Sequence, residues 1–233
     1  MQNSDQNKAY GLQTVNMVAD VYASGVERGV LLMRHSARTF DPNIHDLLNP
    51  LTDDGRALCR QFGEALPKTV QVRGYASPPE RCMETAQLVI AAHEAAGGRG
   101  LRTRPVEALS IFYALDQQKM WQGMKQAVDL PAYVAQWFAQ AVPEDAMMPA
   151  PLAVQMVLRG LLGKLRDTAV AGAGPHLDLC VSHDLTLYTL RHGVGLEPVT
   201  GPQVAFLDGL LLFVRDGKTL LRSQYGAEVE IDA

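Results

Sequence analysis

Short apolar segments alternate with stretches of helical periodicity, and that alternation leaves this chain very few folds. Residues 30–33, 70–76, 101–106 and 177–182 read as strands, short apolar runs bounded by polar or turn residues. Val15, Met17, Val18, Val21 and Tyr22 mark a short helix over residues 13–25. Thr52-Asp53-Asp54 opens the next helix with an N-cap hydroxyl and an acidic first turn, and Pro67 ends it. Its Ala57, Leu58, Phe62, Ala65 and Leu66 fall on one face. Ser77-Pro78 opens a third helix, with Ser as N-cap and Pro at the first position, running to about residue 96 and stopping at Gly97-Gly98. Residues 152–170 are helical, and residues 184–192 form a short helix closed by Gly193. Residues 210–214 and 219–222 flank Asp216-Gly217, a type I′ hairpin signal. Strands alternating with helices predict an α/β protein, a three-layer α/β/α sandwich with a mostly parallel central sheet.

The 233 residues are 47% hydrophobic, enough to bury the core of one domain over the whole chain. Residues 1–10 read as a polar tail. Residues 107–150, with Phe112, Tyr113, Trp121, Tyr133, Trp137 and Phe138, read as short helices and loops, a cap-like insertion over the sheet. The formal net charge of -4 argues against a dedicated nucleic-acid binder. The three cysteines, Cys59, Cys82 and Cys180, are odd in number and form no CxxC pair, so buried free thiols in a reducing compartment are expected. No apolar core of a secretory signal follows the polar start, and no run reaches membrane-span length. The expectation is a cytoplasmic protein with no membrane partner; the pattern carries no signature of oligomeric state.

Ligands of such sheets bind beyond the carboxyl ends of the strands. Arg34-His35-Ser36-Ala37-Arg38 follows the first strand there, and His183-Asp184 follows the fourth. Arg81 lies in the first turn of the helix after the second strand. All three therefore fall on one rim. Arg34, Arg38 and Arg81 offer forked donors to a phosphate, and the helix start near Ser77 adds backbone N–H groups. His35, made neutral by its cationic neighbours, is the expected nucleophile. His183 is placed to hydrogen-bond the transferring phosphoryl group, and Asp184 is the carboxyl best placed in sequence to protonate the leaving alcohol. His45, His93, His176 and His192 read as structural or surface residues.

Four motifs together resemble the histidine phosphatase superfamily, which includes phosphoglycerate mutases and histidine acid phosphatases. They are Leu32-Met33-Arg34-His35; Leu51-Thr52-x-x-Gly55-Arg56 with Gly63; Ser77-Pro78-x-x-Arg81-x-x-x-Thr85-Ala86; and Val181-Ser182-His183-Asp184, spanning residues 30 to 195 in the family's order. The resemblance implies a phosphoglycerate mutase-like fold, a phosphohistidine at His35, and a phosphate pocket of Arg34, Arg38, Arg81 and His183, without metal or cofactor. Ser36 stands where the family usually has Gly, and its hydroxyl is a further phosphate donor. The mutase-like branch takes its acid from a Glu after the second helix, which leaves Glu107 as the alternative to Asp184. The expected activity is a phosphatase on a small phosphomonoester. A phosphomutase, a non-catalytic phospholigand binder and a metal-dependent hydrolase using His183-Asp184 as ligands are the competing readings.

Overall fold

A computed structural model describes residues 10–41, 43–167 and 174–232. Seven strands form one sheet: β1 (Arg28–Arg34), β2 (Gln71–Ala76), β3 (Arg99–Pro105), β4 (His176–Ser182), β5 (Gly209–Arg215), β6 (Lys218–Ser223) and β7 (Glu228–Glu230), in the order β3-β2-β4-β1-β5-β6-β7. The helices are α1 (Leu12–Ala23), α2 (Asp53–Ala65), α3 (Glu80–Ala95), α4 (Gln117–Gln126), α5 (Leu130–Phe138), α6 (Ala150–Arg166) and α7 (Asp184–Gly193). Short 3₁₀ turns occur at Asp46–Leu48 and Glu107–Leu109.

Successive strand residues point to opposite faces, and here both faces are covered. Val30 and Leu32 of β1 pack with α4 to α7, whereas Leu31 and Met33 pack with α1, α2 and α3. This is the three-layer α/β/α arrangement. The expected parallel character holds for only half of the sheet. β3, β2, β4 and β1 run parallel, but β5 is antiparallel to β1, and β6 and β7 continue antiparallel. The reason lies in the connections: after α7, residues 194–208 bring the chain back to the rim, so that β5 starts at Gly209 opposite Met33, where β1 ends, and a two-residue turn then reverses β6 against β5. Asp216 and Gly217 both have positive φ (52° and 76°), as the type I′ turn between β5 and β6 requires.

Some details differ from expectation, among them the start of β3, which lies two residues early at Arg99. Ser77 is not the cap of α3; its N–H bonds to the Val181 carbonyl at 2.9 Å and its hydroxyl lies 2.9 Å from His183 Nε2. Pro79 is the N-cap, so the helix starts at Glu80. α6 starts two residues early, just after Pro149, and residues 168–170 of the expected helix lie outside the described residues, as do residues 1–9 of the expected tail. β7 was not expected, because three residues carry too little periodicity to read.

Gly55 brings α2 against the loop after β1. A Cβ there would sit 2.1 Å from the Ala37 carbonyl oxygen, a backbone atom with no freedom to move aside. Gly63 allows the same approach of α2 to the Val89 carbonyl of α3. Gly55→Ala gains about 1 kcal/mol of helix propensity but is expected to lose more to overpacking, about 1–3 kcal/mol. A thermal melt should show a fall of a few degrees. An unchanged or raised midpoint would mean that the loop has room to retreat.

The three cysteines are buried and unpaired, and burial pushes Cys59 up to about 11 and Cys82 and Cys180 up to about 12. Among the described residues, no helix is long and apolar enough to cross a membrane.

Candidate active site

β1 and β4 are adjacent and parallel, with Arg34 opposite Ser182. The residues that follow, His35 and His183, therefore leave the sheet side by side, with ring centroids 5.7 Å apart. The His35 N–H bonds to the Ser182 carbonyl at 3.0 Å, fixing the backbone where the strand ends.

His35 is buried at 3% exposure. Its Nδ1 lies 2.8 Å from the Ser36 carbonyl oxygen. An acceptor at that position keeps the proton on Nδ1 and leaves Nε2 unprotonated, with its lone pair available as an acceptor. Arg81 Nε donates to Nε2 at 3.2 Å. Burial first, then the charges of His183, Arg81 and Arg34, hold the imidazole well below the ordinary histidine range, opposed by the Ser36 carbonyl. His183 is pulled down to about 4, by burial and then Arg81.

Both histidines are thus neutral in the native state at neutral pH. As pH falls below about 6.5 the unfolded chain binds protons that the folded chain refuses. Their contribution to stability is therefore intact above that pH and is lost as pH falls through the folded values, about 4 for His183. Imidazole proton resonances followed by NMR should show neither ring titrating between about pH 7 and 5.5. A midpoint near 6.5 for His35 would contradict this electrostatic picture.

The three arginines converge, each held by an acceptor. Arg34 donates to Asp184 Oδ2 at 2.8 Å and to the Val204 carbonyl at 2.7 Å, with Phe206 stacked 4.3 Å from the guanidinium carbon. Arg38 donates to Asp46 Oδ1 at 2.6 Å. Arg81, 3% exposed, reaches Asp46 Oδ2 at 3.3 Å and the Asp46 carbonyl at 2.8 Å. Asp46 thus bridges two of the expected phosphate cations. Sequence reasoning missed it, since it sits in an irregular Asp/Asn/Pro loop and meets Arg81 across 35 residues of chain.

Ser36 has a different place from the one its hydroxyl suggested. It is fully buried, donates from Oγ to the Gly55 carbonyl at 2.8 Å, and its N–H bonds to Thr85 Oγ1 at 3.2 Å. Its hydroxyl is therefore committed to α2. Nor does its backbone need glycine: among the described residues, the non-glycine positive φ values are at Gln140, Leu207 and Asp216.

Asp184 and Glu107 differ in what surrounds them. Both Asp184 oxygens accept hydrogen bonds, Oδ1 from the Leu185 N–H at 2.8 Å and Oδ2 from Arg34. Glu107 is exposed and lies with His183 on the wall of a cavity of about 250 Å³. Residues 107–150 supply most of that wall, including Phe112 and Trp121. The remaining histidines are occupied elsewhere: His93 Nε2 is 2.9 Å from the Val70 carbonyl, His176 Nε2 is 2.9 Å from Asp178, His192 packs edge-on against Phe138, and His45 Nδ1 accepts from Leu47 N–H. Among the described residues, no group of three or more His, Cys, Asp or Glu side chains is arranged to hold a metal ion.

A buried imidazole set among arginines thus stands at the carboxyl ends of the parallel strands of this α/β fold. Residues 30–194 match the family model of the histidine phosphatase superfamily (branch 1), and the chain belongs to that superfamily. No curated protein matches in sequence. Among solved structures, it is similar to phosphoglycerate mutase from Bacillus anthracis str. Sterne, with a TM-score of 0.56 and 19% identity over 84% of this chain and 91% of that one. It is also similar to a mycobacterial glucosyl-3-phosphoglycerate phosphatase, with a TM-score of 0.54 and 15% identity over 88% of this chain and 96% of the other. A phosphoserine phosphatase from Entamoeba histolytica gives a TM-score of 0.51 and 15% identity over 84% and 95%.

Proposed function

We propose that the protein is a phosphomonoesterase that works through a phosphohistidine on His35. The observation carrying this reading is the orientation of one ring: Nδ1 tied to the Ser36 carbonyl, Nε2 turned to the Arg81 guanidinium. Nε2 attacks phosphorus in line, the bond to the ester oxygen breaks, and that oxygen takes a proton from a carboxylic acid. Arg34, Arg38, Arg81 and His183 stabilise the equatorial oxygens. Water then attacks phosphorus, the same carboxylate accepts its proton, and the N–P bond breaks to release inorganic phosphate. The enzyme returns unchanged and one water is consumed per ester.

Glu107 takes the acid role in this reading. It faces the cavity where a leaving alcohol would sit, and it is exposed, so water reaches it for the second step. Asp184, favoured from the sequence, orients Arg34 instead. Folds of this kind are similar both to a mutase and to phosphatases, so the fold does not choose between them. Water access at Glu107 favours hydrolysis over transfer, which must keep the phosphoenzyme dry.

The test compares aryl phosphates of good and poor leaving groups. Glu107→Gln is expected to slow poor leaving groups about 10²–10⁴-fold and good ones much less. Asp184→Asn should slow both alike, through Arg34. The reverse pattern would return the acid role to Asp184. No phosphate release from any ester by the wild type would remove the phosphatase reading itself.

A further inference from the structure

The cavity beside His183 differs in character from the rim that meets the phosphate. Ile111, Phe112, Met120 and Trp121 give it an apolar wall, and its ionisable lining groups are Glu107 and His183. His183 is neutral there at pH 7. The cavity thus presents no cation to whatever carries the phosphate.

The rim has little positive charge to spare. Arg34 is paired with Asp184, and Arg38 and Arg81 share Asp46. Three guanidiniums facing two carboxylates leave a net charge of +1, which one phosphate dianion already exceeds, and a second anionic group on the same substrate would find no partner among them. A neighbouring cavity of about 240 Å³ does contain Lys125 and His45, but Asp41 and Asp46 line it as well. Trp121 lines both cavities.

Resting on the phosphatase reading above, we infer that the substrate's leaving alcohol is uncharged and apolar, aromatic or bulky alkyl, and that esters bearing a second carboxylate or phosphate are rejected. Two effects act in the same direction. Phe112 and Trp121 desolvate an apolar group favourably, and an anion placed there would lose its water with no cation to compensate it. Selection against the charged competitor is as important here as attraction of the apolar one.

The experiment uses the full chain and esters of similar intrinsic reactivity. 2-Phenylethyl phosphate, hexyl phosphate and 3-phosphoglycerate all expel primary alkoxides, so leaving-group chemistry does not bias the ranking. Wild-type kcat/KM is expected to be about 30-fold or more higher for 2-phenylethyl phosphate than for 3-phosphoglycerate, with hexyl phosphate between them. Trp121→Ala should narrow that ratio to within about 5-fold while the inhibition constant of inorganic phosphate stays unchanged. Equal or faster turnover of 3-phosphoglycerate overturns the inference and leaves the phosphatase reading standing. So does a ratio that Trp121→Ala leaves intact. If no ester is turned over, 1-naphthyl phosphate included, the phosphatase reading fails and this inference with it.

Discussion

His35→Ala should abolish phosphate release, by about 10³-fold or more on any ester the wild type accepts. The Nε2 atom is the group that forms the covalent bond, and neither His183 nor any arginine takes its place. His183 is 5.7 Å away between ring centroids, and its Nε2 is engaged with Ser77 Oγ at 2.9 Å. The effect should fall on kcat rather than on phosphate affinity, because the three arginines remain. Removing a buried imidazole leaves a cavity, so the melting temperature is expected to fall by some degrees without loss of the fold. Rapid acid-free quenching of the wild type with a ³²P-labelled ester should trap a base-stable, acid-labile phosphoprotein that the variant lacks. Residual turnover within about tenfold of wild type would mean that water attacks the ester directly.

Arg81→Met should lower kcat/KM by about 10²–10³-fold. Arg81 is buried at the start of α3, where a guanidinium is costly: burial, reinforced by the charge of Arg38, pulls its pKa below the usual value, partly offset by Asp46. That cost makes sense only if the charge acts on something. It touches the His35 Nε2 directly and shares Asp46 with Arg38. Methionine fills similar space with no donor, so stability should change less than activity. Arg81→Lys keeps the charge but loses the planar fork, and recovery should be partial. Full activity in either variant would place the phosphate away from α3 and undo the geometry of the site.

The most legible part of the site was the part written contiguously. Arg34 and His35 follow an apolar run, and a strand ending in such residues delivers them to a sheet edge whatever else the chain does. His183 was legible for the same reason, and the parallel pairing of β1 with β4 brings it beside His35. Ser36 was misread. A hydroxyl next to a nucleophile suggests a phosphate donor, but α2, brought close by Gly55, presents its carbonyl first. Ser77 was misread similarly: Ser-Pro is an N-cap pattern, yet His183 lies nearer to the hydroxyl than the helix amides do. In both cases a tertiary partner outcompeted the local one, and local pattern carries no record of such a partner.

Layer order, strand order and the reversal at β5 divide along the same line. Alternating apolar runs and helical faces determined the α/β/α layering, because each amphipathic element must bury one side. The Asp216-Gly217 turn determined the hairpin, because two consecutive positive φ angles admit few residues. By itself the sequence also settled which rim carries His35, Arg34 and His183, since chain direction at a strand end is a local property. Only the tertiary structure decided that Asp46 spans Arg38 and Arg81, that Asp184 is bound to Arg34, and that Glu107 faces the apolar cavity with His183. Those contacts join loops and helix ends, whose positions are set by packing of distant elements and not by any periodicity of their own.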